Sequence, residues 1–118
     1  MKKFIRGFYF AFSGLAYAFK TQRNFRAHCG AVVIISLLSF YLNLNSSEWL
    51  WMIAAMALVL ITELMNTSIE ALVDLVSPQY HEKAGIAKDV AAAMVLLSAI
   101  AALLIGIIIL LPKMTDAA

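Results

Sequence analysis

The strongest constraint on this chain is the stretch from Trp49 to Val76, which contains no glycine or proline and changes character halfway along. Trp49 to Ile61 is apolar throughout, whereas Thr62 to Val76 carries acids at regular intervals. With nothing to stop it, the stretch predicts one helix of about 28 residues that leaves an apolar phase bearing carboxylates. At about 100° per residue, Glu63, Asn66, Glu70 and Asp74 fall within roughly 80° of arc. Their neighbours Leu64, Met65, Ile69, Leu72 and Val73 are apolar, so the polar stripe is confined to one face. An ionisable side chain near membrane depth costs about 2.5–3.5 kcal/mol on insertion scales, and several on one face mark a site.

Membrane depth is the right frame because a soluble domain of 118 residues, 64% hydrophobic with a mean hydropathy of +0.89, could not hide its apolar surface. Val90 to Leu111 is apolar apart from Ser98 and Gly106, enough for one crossing of an approximately 30 Å hydrocarbon core. Cys29 to Leu42 is shorter and spans only with His28 or Asn43 to Asn45 at the interface. Residues 1–28 hold Lys2, Lys3, Arg6, Lys20, Arg23 and Arg26 and no acid. Phe4, Ile5, Phe8, Phe12, Leu15 and Phe19 recur among them at steps that suit an amphipathic helix on an anionic membrane surface. No small-residue cleavage site follows, so this segment does not read as a removable signal peptide. The single cysteine, Cys29, excludes an intrachain disulfide and a cysteine-based metal motif.

The expected fold class is therefore all-α, an integral membrane protein with an N-terminal amphipathic surface helix and three transmembrane helices. The expected boundaries are 1–27 for the surface helix and 28–45, 48–76 and 86–112 for the membrane helices, in one membrane-embedded domain. Thr21 to His28 reads as a polar connector, Asn43 to Glu48 as a turn in which Ser46 or Ser47 caps the next helix, and Ser77 to Gly85 as the third break. Eight of the nine Lys and Arg residues fall on one side of such a bundle, Lys113 being the exception. The positive-inside rule then puts the N-terminus and the Ser77 loop in the cytoplasm of a plasma (inner) membrane protein. Glu63 would lie just inside the cytoplasmic boundary, with Glu70 about 10 Å further along in headgroups or cytosol.

Two carboxylates on one face at two depths suggest two tasks. Glu63, partly desolvated, suits taking a proton from a lipid hydroxyl, and Glu70, nearer water, suits Mg²⁺ together with substrate phosphates. Asn66 lies between them. Lys88 and Asp89 stand at the head of the last helix, where the N-terminal dipole also favours phosphate. Base, metal and positive charge are the parts of phosphoryl transfer, yet no P-loop or glycine-rich kinase loop is present. Interhelical hydrogen bonding or charge pairing in an oligomer, Glu63 or Glu70 with a Lys or Arg of a neighbour, is the structural alternative. His81 reads equally as an exposed loop residue or a nucleotide contact, and His28 as a residue flanking the interface.

The run from Glu63 to Asp74, with its E-x-x-N-x-x-x-E-x-x-x-D core, followed by Tyr80–His81–Glu82 and Ala87–Lys88–Asp89, resembles the signature of the small prokaryotic diacylglycerol kinases, a family that includes the undecaprenol kinases. The resemblance covers nearly the whole chain. It implies a homotrimer with sites shared between subunits, ATP and Mg²⁺ on the cytoplasmic side, a lipid alcohol as acceptor and no nucleic-acid partner. By motif position it implies Glu63 as catalytic base and Glu70 as metal ligand facing the ATP phosphates. Asn66, Tyr80, His81, Lys88 and Asp89 would attend the nucleotide, with Lys3 and Phe10 of the first helix as looser matches. Gln22 stands where many members carry a second metal-binding Glu, so the second metal position loses a charge; His28 is a substitute candidate. The segment from Gln22 to His28 and the closing Ile107 to Lys113 look more like the undecaprenol kinase branch, which puts undecaprenol ahead of diacylglycerol as the expected acceptor. A small proton-coupled multidrug-type transporter is the competing reading, but its essential carboxylate would lie earlier and nearer mid-membrane. A non-catalytic assembly subunit ranks last.

Overall fold

The computed structural model describes residues 1–117. Four helices follow one another: α1 (Lys2–Thr21), α2 (Arg23–Tyr41), α3 (Ser46–Val76) and α4 (Glu82–Ala117), with no strand among the described residues. Helices α2, α3 and α4 are each long and apolar enough to cross a membrane. They run up, down and up. One end of the bundle therefore holds the α1–α2 corner and the 77–81 loop, and the other holds the 42–45 turn and the end of α4.

The first corner falls at Gln22 alone. Helix is expected to stop at residue 27, but Arg23 to His28 form the first turns of α2, because Thr-Gln-Arg-Asn contains no residue that opposes helix strongly. Gln22 adopts an extended conformation (φ −111°, ψ 107°), closes α1 through its N–H to Ala18 O at 2.8 Å and opens α2 through its carbonyl to the Arg26 N–H at 3.2 Å. Arg26 completes the corner. Its Nη1 donates to Phe19 O at 2.7 Å and Lys20 O at 3.1 Å, satisfying carbonyls that the end of α1 leaves open. Ala18 and Phe25 are buried beside the break, whereas Phe4, Phe8, Phe12 and Phe19 of α1 remain exposed, as a helix lying in a headgroup layer requires.

At the opposite end, Asn45 rather than Ser46 or Ser47 caps α3. The Asn45 side chain accepts from the Glu48 N–H and the Glu48 carboxylate accepts from the Asn45 N–H, both at 2.9 Å, which is a reciprocal capping box. Asn43 supplies the left-handed residue of the turn at φ 54°. Leu44, Met52 and Leu110 form a buried cluster under this turn, and Lys113 Nζ reaches Glu48 Oε1 at 3.2 Å. Helix α4 also exceeds its expected 86–112 range at both ends. It begins at Glu82 and runs through Pro112, whose missing N–H forfeits the ladder bond to the carbonyl four residues earlier.

The closest helix pairing is α3 with α4. The buried side of α3 comprises Met52, Ala55, Val59, Thr62, Glu63 and Thr67, a three- and four-residue spacing that faces Ala91 and Ser98 on α4. Small side chains let the backbones approach, and the Thr62 and Ser98 hydroxyls meet at 2.8 Å. Two protons serve three contacts, so one hydroxyl donates to a carbonyl of its own helix, Val59 O for Thr62 or Val95 O for Ser98, while the other donates across the interface. Such a bond contributes about 0.6 kcal/mol in a membrane protein, enough to fix the register of two apolar helices. The outward faces, including Val33, Ile34, Leu58, Ile61, Leu96, Leu97 and Leu104, are exposed, as surfaces that lipid covers should be.

Candidate active site

The polar stripe of α3 lies at the corner end of the bundle, and each of its members has a different environment. Glu63 is buried, only 3% exposed, because its turn of α3 packs between its neighbours. Its Oε1 lies 3.3 Å from His28 Nε2 of α2. Thr67, one turn on, donates to the Glu63 backbone carbonyl at 2.9 Å and leaves the carboxylate alone. Within the chain Glu63 does meet a partner on a neighbouring helix, and that partner is a histidine.

Asn66 and Glu70 form a unit, with Asn66 Nδ2 donating to Glu70 Oε1 at 3.3 Å. The other end of that amide, Asn66 Oδ1, is buried without a hydrogen-bond partner. Buried acceptors are almost always satisfied, so an orphan beside a carboxylate indicates a missing donor or cation. Asp74 pairs with Lys88 of α4 across 2.6 Å, which joins the end of α3 to the head of α4. Asp74 remains largely solvated within this surface pair, and Lys88 is half-exposed.

The remaining expected site residues are brought together less closely. Tyr80 is 91% exposed, and Asp89 is exposed one residue beyond Lys88. His81 uses Nδ1 to accept from the Lys83 N–H at 3.1 Å, so the ring caps the start of α4 and has only its other nitrogen free for a ligand. Lys3 and Phe10 lie exposed on α1, Phe10 edge-on to Tyr9. Gln22 sits in the corner with Nε2 3.4 Å from Thr21 Oγ1. Among the described residues no three His, Cys, Asp or Glu side chains converge as a metal cluster.

His28 is the residue whose importance the sequence reading missed. It does not merely flank the interface: it turns inward onto Glu63. The signal was present, since Phe25, His28, Val32, Ile35 and Ser39 recur at steps of three and four and form the inner face of α2. Beyond His28, an apolar cavity of about 490 Å³ runs between α2, α3 and α4 toward Leu111 and Met114, and His28 is the one polar side chain in its wall. The site thus combines a buried carboxylate, an imidazole that links it to an apolar cavity, an open acceptor on Asn66 about one turn along α3 and the Glu70 carboxylate about two turns along it.

Comparison with known proteins identifies the family. The family model described as prokaryotic diacylglycerol kinase matches residues 9–110. The chain is 45% identical over 108 residues to a diacylglycerol kinase of Synechocystis, an alignment covering 91% of this chain and 62% of that protein. It is 33% identical over 114 residues to the undecaprenol kinase of Bacillus subtilis, covering 97% and 93% of the two chains. It is likewise 33% identical over 101 residues to the diacylglycerol kinase of Escherichia coli K12, covering 86% and 83%. These names leave the transporter reading without support, and the extent of the family match decides the membership. The chain belongs to the prokaryotic diacylglycerol kinase family.

Proposed function

We propose that this protein is a lipid kinase that transfers the γ-phosphoryl group of ATP to the hydroxyl of a membrane lipid alcohol, diacylglycerol or undecaprenol. The observation that carries the reading is Glu63, a carboxylate 3% exposed, in contact with His28, which lines one end of an apolar cavity. An acceptor whose chain lies in that cavity presents its hydroxyl to Glu63. The carboxylate takes the hydroxyl proton, the acceptor oxygen attacks the γ-phosphorus, and the bond to the bridging oxygen breaks to release ADP. Lys88 and the head of α4 offer positive charge for the nucleotide phosphates.

The residues present fit Mg²⁺. Glu70 and the unpartnered Asn66 Oδ1 offer the oxygen ligands that this cation takes alongside phosphates, with Gln22 as a neutral contributor. Bound there, Mg²⁺ would neutralise charge on the transferring phosphates. Eight of nine basic residues at the corner end support a cytoplasmic site on a plasma (inner) membrane protein.

A homotrimer is part of the proposal. Single-chain geometry leaves Tyr80, Asp89, Lys3 and Phe10 exposed and the Asn66 acceptor open, as expected of a site that a neighbouring subunit completes. Light scattering of the active protein in detergent should give a protein mass about three times 13.0 kDa. Full activity from a particle of one chain would rule the shared site out.

The acceptor is decided by one assay. Identity does not favour the expected undecaprenol, since the 45% match is to a diacylglycerol kinase and the undecaprenol kinase stands at 33%. ATP-dependent phosphorylation of both lipids, side by side in the same micelles with Mg²⁺, should label at least one of them strongly. If neither is labelled, the kinase reading fails for this chain.

A further inference from the structure

The family signature on α3 accounts for Glu63 but not for what holds it. A buried carboxylate needs a partner to be retained as a charge, and a base needs a fixed orientation to act on a hydroxyl delivered from one direction. Among the described residues, the group that approaches the Glu63 carboxylate is His28 Nε2, at 3.3 Å. The two side chains differ sharply in accessibility, 4% for Glu63 against 31% for His28, and the imidazole alone brings polarity to the cavity wall.

We propose that His28 is a positioning residue for the base. With its proton on Nε2, the ring holds Glu63 Oε1 and leaves Oε2 to receive the acceptor's hydroxyl proton. This rests on the lipid-kinase reading above.

The surroundings keep the ring available for this task. Arg26, half a turn away on α2, is spent on the carbonyls of Phe19 and Lys20. Helix α4 contributes only apolar residues such as Ala99, Ala102 and Leu103 to the same wall, so Glu63 is the acid that faces the ring from α3. At 3.3 Å the two groups are in ion-pair contact without an aligned hydrogen bond, and catalytic contacts commonly align and tighten only when substrate arrives.

The test separates orientation from mere support of the fold. His28→Ala should lower kcat by about 10–100-fold with little change in the KM for ATP, as misplacement of a base by about 1 Å does. His28→Gln, whose amide can still donate to Oε1, should recover much of the loss, and added imidazole should partly rescue His28→Ala. A second readout needs no turnover. In ¹⁵N-histidine-labelled protein, with His81→Gln used to assign the two rings, His28 should show a protonated Nε2 whose resonance moves in Glu63→Gln. Wild-type kcat in His28→Ala, or a loss relieved by neither Gln nor imidazole, overturns the proposal, as does a His28 resonance indifferent to Glu63. If wild type labels no lipid, the kinase reading falls by itself and the nitrogen spectrum still judges the pairing.

Discussion

Glu63→Gln is expected to abolish useful turnover, lowering kcat by about 10²–10⁴-fold, while the protein still folds and still binds ATP. The amide has the shape of the carboxylate but cannot take a proton. It leaves the surroundings intact, because the Thr67 hydroxyl bonds the backbone carbonyl of residue 63 and not its side chain. It also keeps a side chain that can hydrogen-bond opposite His28, so neither group loses its partner. Thermal unfolding in detergent and nucleotide binding should therefore match wild type while phosphoryl transfer does not. A purified variant with near-normal turnover would remove Glu63 from the role of base and leave its burial without a catalytic explanation.

That prediction rests on a feature the sequence displays openly. A helix of the length of α3 with four polar residues within one narrow arc can be read from spacing alone, and the structure keeps Glu63, Asn66, Glu70 and Asp74 together on that one helix. The membrane class was equally legible, because runs such as Val90 to Leu111 leave a small chain no other way to shield them. What escaped is tertiary in origin. Nothing in Thr21 to Asn24 marks Gln22 as the one non-helical residue; the break is set by how Arg26 and Phe25 dock against the end of α1. Whether Ser46 or Asn45 caps α3 depended on where the turn placed its left-handed residue, Asn43. The partners Lys88 for Asp74 and His28 for Glu63 lie 14 and 35 residues away, and local periodicity carries no information across such distances. The spacing does predict which face of α2 is inward, and His28 lies on it, but a polar residue on that face becomes meaningful only once the facing residue is known.

Glu70→Gln should give the second large effect, and of a different kind. Mg²⁺ is usually held by one or two carboxylates together with substrate phosphates and water. In this chain the second ligand position proposed for the site is Gln22, which is neutral, so Glu70 supplies the fixed negative charge there by itself. Its loss should raise the Mg²⁺ concentration for half-maximal activity by about 10–100-fold, with activity at low Mg²⁺ falling accordingly and returning in part as Mg²⁺ is raised. Asn66 would keep its amide beside a neutral partner, so the helix should be undisturbed. Asp74→Asn is the comparison, because that carboxylate is committed to Lys88 at 2.6 Å and its removal should weaken the α3–α4 tie with little change in Mg²⁺ dependence. Gln22→Glu supplies the converse, adding a charge at the corner, and should lower the half-maximal Mg²⁺ concentration if Gln22 faces the same ion. Unchanged Mg²⁺ dependence in Glu70→Gln would take Glu70 out of the metal site, and the open Asn66 acceptor would then have to be filled from a neighbouring subunit instead.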